Sequence, residues 1–293
     1  MVPQWICCSF FLLTFTGITC NAFLTHVTRQ ELYHQIANKH LISEAQFGQL
    51  INVPTSGVYQ ELVAKDCRAV YLNLRRRSGL YVIWPKNSPP LAVYCDLSSD
   101  GAGWTVLQRK MPGDHTSFGS HDWQEYRDGF GDLQGSHWLG NELIYLLTRQ
   151  SAFTVRFLLV DSQDKQHYAD YSSFRVDSEA SGYSLRLGEY SGNAGDALTA
   201  WNETGTHDNM KFSTRDKDND RWDRNCAAEL KGGWWFHSCR SALLNTDGEV
   251  YWGDICHEKN PCKTTGIMIK PGRKNCSPIP LPGAGDYYPI HYS

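Results

Sequence analysis

The sequence lacks an excess of charge of either sign. Its 293 residues include 28 Lys and Arg against 31 Asp and Glu, which leaves a formal net charge of −3. The long-range positive field that draws proteins to nucleic acids or acidic membranes is therefore missing. The one basic run, Arg75 to Arg77, is typical of a solvated loop. We expect no nucleic acid among the partners of this protein.

The sequence patterns of familiar enzyme classes are also absent. The chain has no G-x-S-x-G nucleophile elbow, no H-E-x-x-H motif and no glycine-rich phosphate loop. Its 11 histidines are scattered. No pattern marks His121, His137 or His207 as a catalytic base, so each is interpreted as a surface or structural residue. The sequence favours a binding protein over an enzyme.

Long apolar runs are absent after the first 22 residues. The apolar stretch from Trp5 to Ile18 precedes Cys20-Asn21-Ala22, which places small residues where a signal peptide is cleaved. We predict a signal peptide over residues 1–22; a signal anchor is the alternative, because no Lys or Arg precedes the apolar run. No later segment approaches the roughly 20 apolar residues that span a bilayer. The mature chain is expected to be secreted and to have no membrane span.

None of the ten cysteines forms a C-x-x-C pair. The closest pair in the mature chain, Cys256 and Cys262, has only His257 beside it, so a zinc site is a poor interpretation. Disulfides are the default in an oxidising compartment, and the seven cysteines outside the signal peptide leave one thiol free or paired with another chain. The sequons at Asn202 and Asn275 are compatible with secretion and glycosylation.

Residues 23–62 predict two short helices and a linker. Thr28-Arg29-Gln30-Glu31 and Ser43-Glu44-Ala45-Gln46 are both capping-box sequences, and apolar residues follow the first at helical spacing. The repeat is too short for a convincing coiled coil. Pro54-Thr55-Ser56-Gly57 marks the linker into the main domain.

A single domain over residues 63–274 is predicted because no second linker or repeat interrupts it. Strand-like runs at 79–84, 91–95, 104–108 and 154–160 lie between turn-forming residues, and the clearest helix candidate is Leu139 to Thr148. Strands in hairpins with a few short helices indicate an α+β fold with a mostly antiparallel sheet. Residues 275–293, rich in Pro, Gly and Tyr, are expected to form an irregular tail.

A series of short motifs runs through this domain in a fixed order. The motifs are SGLY at 78–81, VYCDL at 93–97, GWTVLQR at 103–109, YRDGFG at 126–131, WLGNE at 138–142, GEYSGNAGDAL at 188–198, MKFST at 210–214, and NCA at 225–227 with GGWWF at 232–236. Together they resemble the fibrinogen-related (fibrinogen C-terminal) domain family. The absence of a collagenous stretch separates the chain from ficolins, and its short helical lead-in most resembles that of the fibrinogen-like members.

The resemblance implies a fibrinogen C-terminal globular domain with a calcium-loop subdomain, preceded by a short helical segment. The family's two calcium-binding carboxylates lie eight and six residues before a disulfide cysteine, which here gives Asp218 and Asp220; the carbonyls of Trp222 and Arg224 match the other protein ligands. From the residues alone, a solvated acidic loop is the alternative. Alternating carboxylates in such a loop repel one another, and a hard cation such as Ca²⁺ relieves that repulsion.

The resemblance also implies how the cysteines pair. The family pairs the cysteines that correspond here to Cys67 with Cys95 and to Cys226 with Cys239. Among the remaining three, we favour Cys256 with Cys262. That choice leaves Cys276 for another chain and predicts a disulfide-linked homo-oligomer.

In the family, a recognition pocket lies beside the second of these disulfides. From the residues alone, the aromatic run from Trp234 to Phe236 is typical of a core. The resemblance places Trp235 behind that pocket, next to a cis peptide between Ser238 and Cys239. Acetyl-binding members carry Tyr and His at two pocket positions where this sequence has Leu230 and Arg240. We therefore expect weak or no recognition of acetylated sugars and a role as a ligand for an extracellular protein receptor. A lectin-like receptor for acetylated glycans is the alternative.

Overall fold

The computed structural model describes residues 29–36, 41–50, 64–74, 77–200 and 205–272. The predicted signal peptide, the capping box at Thr28, the linker at 54–57, both sequons, Cys276 and the tail include residues outside these ranges, and those predictions are not tested there. Within the described ranges, no helix is long and apolar enough to cross a membrane.

Short helices and longer strands alternate along the described chain. The helices are α1 (Arg29–Gln35), α2 (Glu44–Phe47), α3 (Cys67–Leu74), α4 (Trp123–Asp128), α5 (Asn141–Thr148) and α6 (Cys226–Glu229). The strands are β1 (Gly79–Ile83), β2 (Leu91–Asp96), β3 (Trp104–Lys110), β4 (Phe130–Gly131), β5 (His137–Trp138), β6 (Phe153–Asp161), β7 (Gln166–Val176), β8 (Leu185–Leu187), β9 (Tyr190–Gly192), β10 (Ala242–Leu243), β11 (Tyr251–Trp252) and β12 (Cys262–Pro271).

One large sheet contains most of these strands, and β10 pairs with β11 in a separate two-stranded sheet. The main path of the large sheet runs β1-β2-β3-β12-β6-β7-β8, and each strand pair in the described residues is antiparallel. The last strand, β12, lies between β3 and β6 in the middle of the sheet. Along β6, buried and half-buried residues alternate, which is the pattern of a strand with one face on the core. The α+β fold with a mostly antiparallel sheet is confirmed.

The strand and helix predictions differ from the structure mainly at the ends. The second, third and fourth predicted strands are longer in the structure, whereas the first ends at Ile83. Helix α5 begins at Asn141, two residues later than predicted. The reason is Gly140, whose φ of 106° lies outside helical values and ends the preceding extended segment.

The N-terminal helices pack on the main domain. Ser43 caps α2 in a capping box with Gln46, as the sequence indicated. The backbone N–H of Leu133 donates to the carbonyl of Leu41 at 3.4 Å, and the Gln46 side chain donates to Asp132 at 2.8 Å. Apolar residues of α1 and α2 join the core cluster of the domain. The sequence predicted the helices but not this docking.

Candidate metal centre and recognition face

The loop before α6 is shaped by hydrogen bonds from its own backbone. Thr214 and Lys217 exchange two backbone hydrogen bonds of 3.0 and 3.1 Å, which close a tight turn. Asn219 then donates its backbone N–H to Ser213 Oγ at 3.0 Å and its side-chain amide to the Phe212 carbonyl at 2.8 Å. These contacts fix the direction of the residues that follow.

The two carboxylates predicted to bind calcium lie side by side in this loop. Asp218 Oδ1 accepts the backbone N–H of Asp220 at 3.1 Å. Asp220 accepts the N–H groups of Trp222 at 2.8 Å and Cys226 at 2.9 Å, one on each carboxylate oxygen. Burial raises the pKa of Asp220, and the charge of Asp218 raises it further, against the lowering effect of the two N–H donors. A cation between the carboxylates would relieve both penalties.

The other two predicted ligands contribute backbone carbonyls. No described residue donates a hydrogen bond to the carbonyl oxygen of Trp222 or of Arg224. The Arg224 guanidinium lies over the Trp222 ring, 4.1 Å from its centroid, and 3.5 Å from the Glu229 carboxylate. Its positive charge is thus partly compensated.

The donor set of the loop consists of oxygen atoms only. Among the described residues, no three His, Cys, Asp or Glu side chains are arranged to hold a metal ion. Two carboxylates alone would therefore need the two carbonyls and water to complete a coordination shell. Hard oxygen ligands of this kind suit Ca²⁺, which takes about six to eight of them. The residues present fit that ion.

Three disulfides form within the described residues. They join Cys67 with Cys95, Cys226 with Cys239 and Cys256 with Cys262, the pairs expected from the sequence. The first links α3 to β2, and the third links the chain after β11 to the start of β12.

The second disulfide is tied directly to the acidic loop. Asp220 accepts the backbone N–H of Cys226, and Arg221 donates its backbone N–H to the His237 carbonyl at 2.9 Å. The peptide bond between Ser238 and Cys239 is cis, as the resemblance implied. The loop, the disulfide and this peptide bond form one connected unit.

His207 lies behind this unit, and sequence reasoning gave it no specific role. Its Nδ1 is 2.7 Å from the Trp235 carbonyl, and its Nε2 accepts the backbone N–H groups of Ser241 and Ala242 at 3.0 and 3.1 Å. This pattern requires a neutral ring with the proton on Nδ1. Burial lowers the pKa of His207 to about 4. No local sequence pattern could have identified this role, because the partners lie 28 to 35 residues away along the chain.

Two of the predicted pocket residues occupy different environments. Trp235 is only 1% exposed and donates its Nε1 to the Tyr183 carbonyl at 2.8 Å. It belongs to the core and has almost no exposed surface of its own. Leu230 is half-buried at the end of α6, and its carbonyl accepts the Thr246 hydroxyl at 2.7 Å.

The other two pocket residues flank the second cysteine of the disulfide. Ser238 is half-buried and its Oγ lies 3.2 Å from His237 Nδ1. Arg240 pairs with Glu249 at 3.0 Å and lies over the Tyr251 ring, 4.8 Å from its centroid. A free arginine at this position could pair with a carboxylate on a partner. In the structure, the Glu249 carboxylate of the same chain already pairs with the Arg240 guanidinium.

A cavity of about 380 Å³ opens next to Arg240 and was not predicted. Residues 193–197, Ser241 and residues 253–255 line it. The Ser241 hydroxyl donates to the Ala197 carbonyl at 2.7 Å, and Asp196 accepts the Tyr171 hydroxyl at 2.8 Å. Both side chains are thus engaged within the chain, whereas Asp254 is exposed at the edge of the cavity.

Comparisons with known proteins give a consistent family. Residues 63–270 match the family model described as "Fibrinogen beta and gamma chains, C-terminal globular domain". Fibrinogen-like protein 1-like protein of Gallus gallus is 44% identical over 202 residues, which is 68% of this chain and 71% of that protein. Fibrinogen-like protein 1 of Bos taurus is 43% identical over 210 residues, 64% of this chain and 65% of that protein. The chain thus spans about two thirds of the length of these relatives.

Two solved structures have similar folds. The fibrinogen-like globe domain of human ANGPTL2 has a TM-score of 0.66 at 35% identity, over 71% of this chain and 99% of that domain. A lamprey fibrin D-dimer complexed with the peptide ligand Gly-His-Arg-Pro-amide has a TM-score of 0.69 at 30% identity, over 84% and 83%. The relatives and the three disulfides fit an extracellular protein. The chain belongs to the fibrinogen C-terminal domain family.

Proposed function

We propose that this protein is a secreted, calcium-binding recognition protein that acts as a ligand for a receptor or another extracellular protein. The observation that carries the proposal is the similarity to a fibrin D-dimer solved with a bound peptide, which is a member of this fold family in complex with polypeptide. The proposal includes no catalytic role, since the sequence has none of the enzyme motifs considered above.

The surroundings of the second disulfide favour a protein partner over an acetylated sugar. Leu230 offers no side-chain hydrogen bond, Trp235 is buried, and Arg240 is held by Glu249. A site that recognises a small amide group loses about 1–3 kcal/mol for each polar partner that is missing. A lectin-like receptor is the second candidate, and the cavity beside Ser241 is the place in which a sugar would fit.

A titration distinguishes these two functions. N-acetylglucosamine is added to the calcium-loaded protein in a calorimeter, and we expect no saturable binding at millimolar sugar. Binding to cultured cells is then measured before and after mild trypsin treatment of the cells. A ligand for a protein receptor loses its binding after trypsin and keeps it in excess N-acetylglucosamine. Saturable sugar binding that disappears in Arg240→Ala would instead support the lectin-like function.

Calcium is proposed as the cofactor of the acidic loop. The ion would be held by Asp218, Asp220 and the carbonyls of Trp222 and Arg224, and it would supply the positive charge that offsets the two carboxylates. Because Asp220 also holds the N–H of Cys226, a fixed Asp220 keeps the loop against the disulfide. Calcium that binds only the folded state should stabilise it by about 2.7 kcal/mol at a hundredfold excess over Kd.

Thermal melts with and without calcium test this site independently of any partner. We expect calcium to raise the Tm of the native protein but not that of Asp218→Asn/Asp220→Asn. Asp223→Asn is the matched control, because Asp223 is an exposed carboxylate of the same loop outside the proposed ligand set. If calcium raised the Tm of the double variant as much as that of the native protein, the site would be ruled out. If Asp223→Asn lost the rise in Tm to the same extent, the effect would come from the overall charge of the loop and not from the proposed ligands.

A further inference from the structure

A second cavity, of about 430 Å³, lies where α5 ends beside strands β7 and β8. Residues 148–152, residues 173–175 and Arg186 line it. None of these residues belongs to the calcium loop or to the cavity beside Ser241. Its volume is in the range of pockets that hold small organic ligands, and it exceeds what a single inorganic anion needs.

Three arginines converge on this cavity. Arg175 on β7 and Arg186 on β8 are direct cross-strand partners, an arrangement that places like charges opposite each other and costs stability. Asp177 lies between them, 3.2 Å from Arg175 and 2.8 Å from Arg186. One carboxylate therefore pairs with two guanidinium groups. Arg149 places a third guanidinium at the end of α5.

The guanidinium groups differ in how many donors they have left. Arg186 also donates to Asn209, so most of the N–H donors of its guanidinium are already engaged. Arg149 donates one N–H to the Asn87 carbonyl at 2.8 Å, and it offsets the negative end of the α5 dipole. Arg175 is 58% exposed and has only its Nε near Asp177, which leaves its terminal NH₂ groups for a ligand.

The neighbouring charged groups do not neutralise this site. Arg149, Arg175 and Arg186 against Asp177 leave two positive charges in a chain whose formal net charge is −3. Lys86 lies nearby, since its backbone N–H donates to the Gln150 side chain at 2.8 Å. Asp208 lies beyond Asn209, which donates to it at 2.6 Å.

We propose that this cavity binds a sulfate group of a sulfated extracellular glycan. A planar guanidinium donates two parallel N–H bonds to a tetrahedral or carboxylate oxyanion, which a Lys does not. Two exposed residues with hydroxyl groups, Ser151 and Ser173, line the cavity together with the buried ring of Phe174. The remaining volume accommodates the sugar that carries the sulfate.

The experiment distinguishes a sulfated sugar from the sugar alone and from free sulfate. A fully sulfated heparin tetrasaccharide, the unsulfated tetrasaccharide of the same backbone, and sodium sulfate are each titrated into the full chain at fixed physiological ionic strength. We expect saturable binding of the sulfated tetrasaccharide only. Equal binding of the unsulfated sugar, or displacement by an equimolar amount of sodium sulfate, would overturn the proposal.

Matched variants separate a built site from general charge attraction. Arg149→Gln/Arg175→Gln should weaken binding of the sulfated tetrasaccharide by about tenfold or more, because charged hydrogen bonds are lost. Lys259→Gln/Lys263→Gln removes the same charge near the other end of β12, roughly 25 Å away along the sheet. That control should bind like the native chain. Arg175→Lys keeps the charge but not the fork, and should lose affinity partially.

Three outcomes would contradict the site. They are native-like affinity in the arginine double variant, an equal loss in the lysine control, and full affinity in Arg175→Lys. The melting temperature of each variant is measured in parallel, so that a loss of binding in a folded protein is distinguished from unfolding. Arg186 is left unchanged because its removal would leave Asp177 with fewer partners.

Discussion

His207 shows how much one buried side chain can connect. It bridges the Trp235 carbonyl, which precedes Cys239 in the chain, and the N–H groups of Ser241 and Ala242, which follow it. A protonated ring could not accept these two N–H groups, because both of its nitrogens would be donors. The folded state thus excludes the proton that the unfolded chain binds below its ordinary pKa of 6.5.

We predict that His207 makes stability depend on pH. Its pKa is about 4 in the folded protein against 6.5 in the unfolded chain. Between these values the unfolded state binds more protons, so the free energy of unfolding falls as pH drops from 6.5 to 4. The loss is on the order of 3 kcal/mol.

Urea denaturation at several pH values checks this prediction. His207→Gln retains one acceptor and one donor but does not titrate. The variant should be less stable at pH 7 and show a smaller decrease in stability between pH 6.5 and about 4. His137, also buried with a pKa of about 4, remains in both proteins as a common background. The same pH dependence in both proteins would remove His207 as its source.

At the scale of elements, the N-terminal helices act as part of the domain. Ile36 is 1% exposed and belongs to the same core cluster as the sheet. Contacts of Leu41 with Leu133 and of Gln46 with Asp132 hold the pair of helices in place. The segment before the predicted linker is therefore held against the domain.

Truncation of Ile36 tests this docking. We expect Ile36→Ala to lower the free energy of unfolding by about 2–5 kcal/mol, because it leaves a cavity in a packed core. Leu72→Ala is the control: Leu72 is 58% exposed on α3 and should cost no more than about 0.5 kcal/mol. Chemical denaturation followed by tryptophan fluorescence measures both. A negligible cost at Ile36 would mean that the helices do not pack on the domain in solution.

The disulfides are expected to contribute unequally to the free energy of unfolding. The Cys67–Cys95 bond closes a segment of 28 residues, whereas Cys256–Cys262 closes one of only 6. Loop-closure entropy grows with the length of the closed segment, which gives about 3.5 kcal/mol for the first and about 2 kcal/mol for the second.

Paired Cys→Ala variants test this order. Cys67→Ala/Cys95→Ala should destabilise the protein more than Cys256→Ala/Cys262→Ala, as measured by the urea concentration at half-unfolding. Each variant retains the other two disulfides as an internal control. The reverse order would show that strain or residual structure in the unfolded chain outweighs loop entropy.

At the scale of the whole molecule, the cysteine inventory predicts an assembly. Six of the seven cysteines outside the predicted signal peptide are paired within the chain. The seventh, Cys276, lies outside the described residues. We expect a disulfide-linked dimer on non-reducing gels that becomes a monomer in Cys276→Ser and after reduction. A monomer in the native protein, with Cys276 alkylated in peptide maps, would contradict this expectation.

The sheet also connects distant parts of the chain. Strand β12 completes the sheet by pairing with β3 and β6, whose residues precede it by more than 100 positions. No local pattern predicts such pairing, because a strand's alternation gives its buried face and not its neighbours. The order of the motifs, from SGLY and VYCDL onward, indicated the family. The family then implied the topology of the sheet.

By itself, the sequence determined the features that depend on neighbouring residues. The capping box at Ser43, the strand runs and the α+β class follow from short-range patterns that act before the chain is folded. Two of the disulfide pairs followed from motif positions in the family, and the third, Cys256–Cys262, was a choice among the three remaining cysteines. The oxygen-rich composition of the loop around Asp218 and Asp220 is likewise visible in the printed sequence.

Only the tertiary structure decided which side chains are free to meet a partner. It placed Trp235 in the core, gave Arg240 an intramolecular carboxylate, and brought Arg149 beside Arg175 and Arg186 around one cavity. These outcomes depend on burial and on contacts between residues distant in sequence. A residue's type determines what it can bind, whereas the packing around it determines what it has left to offer.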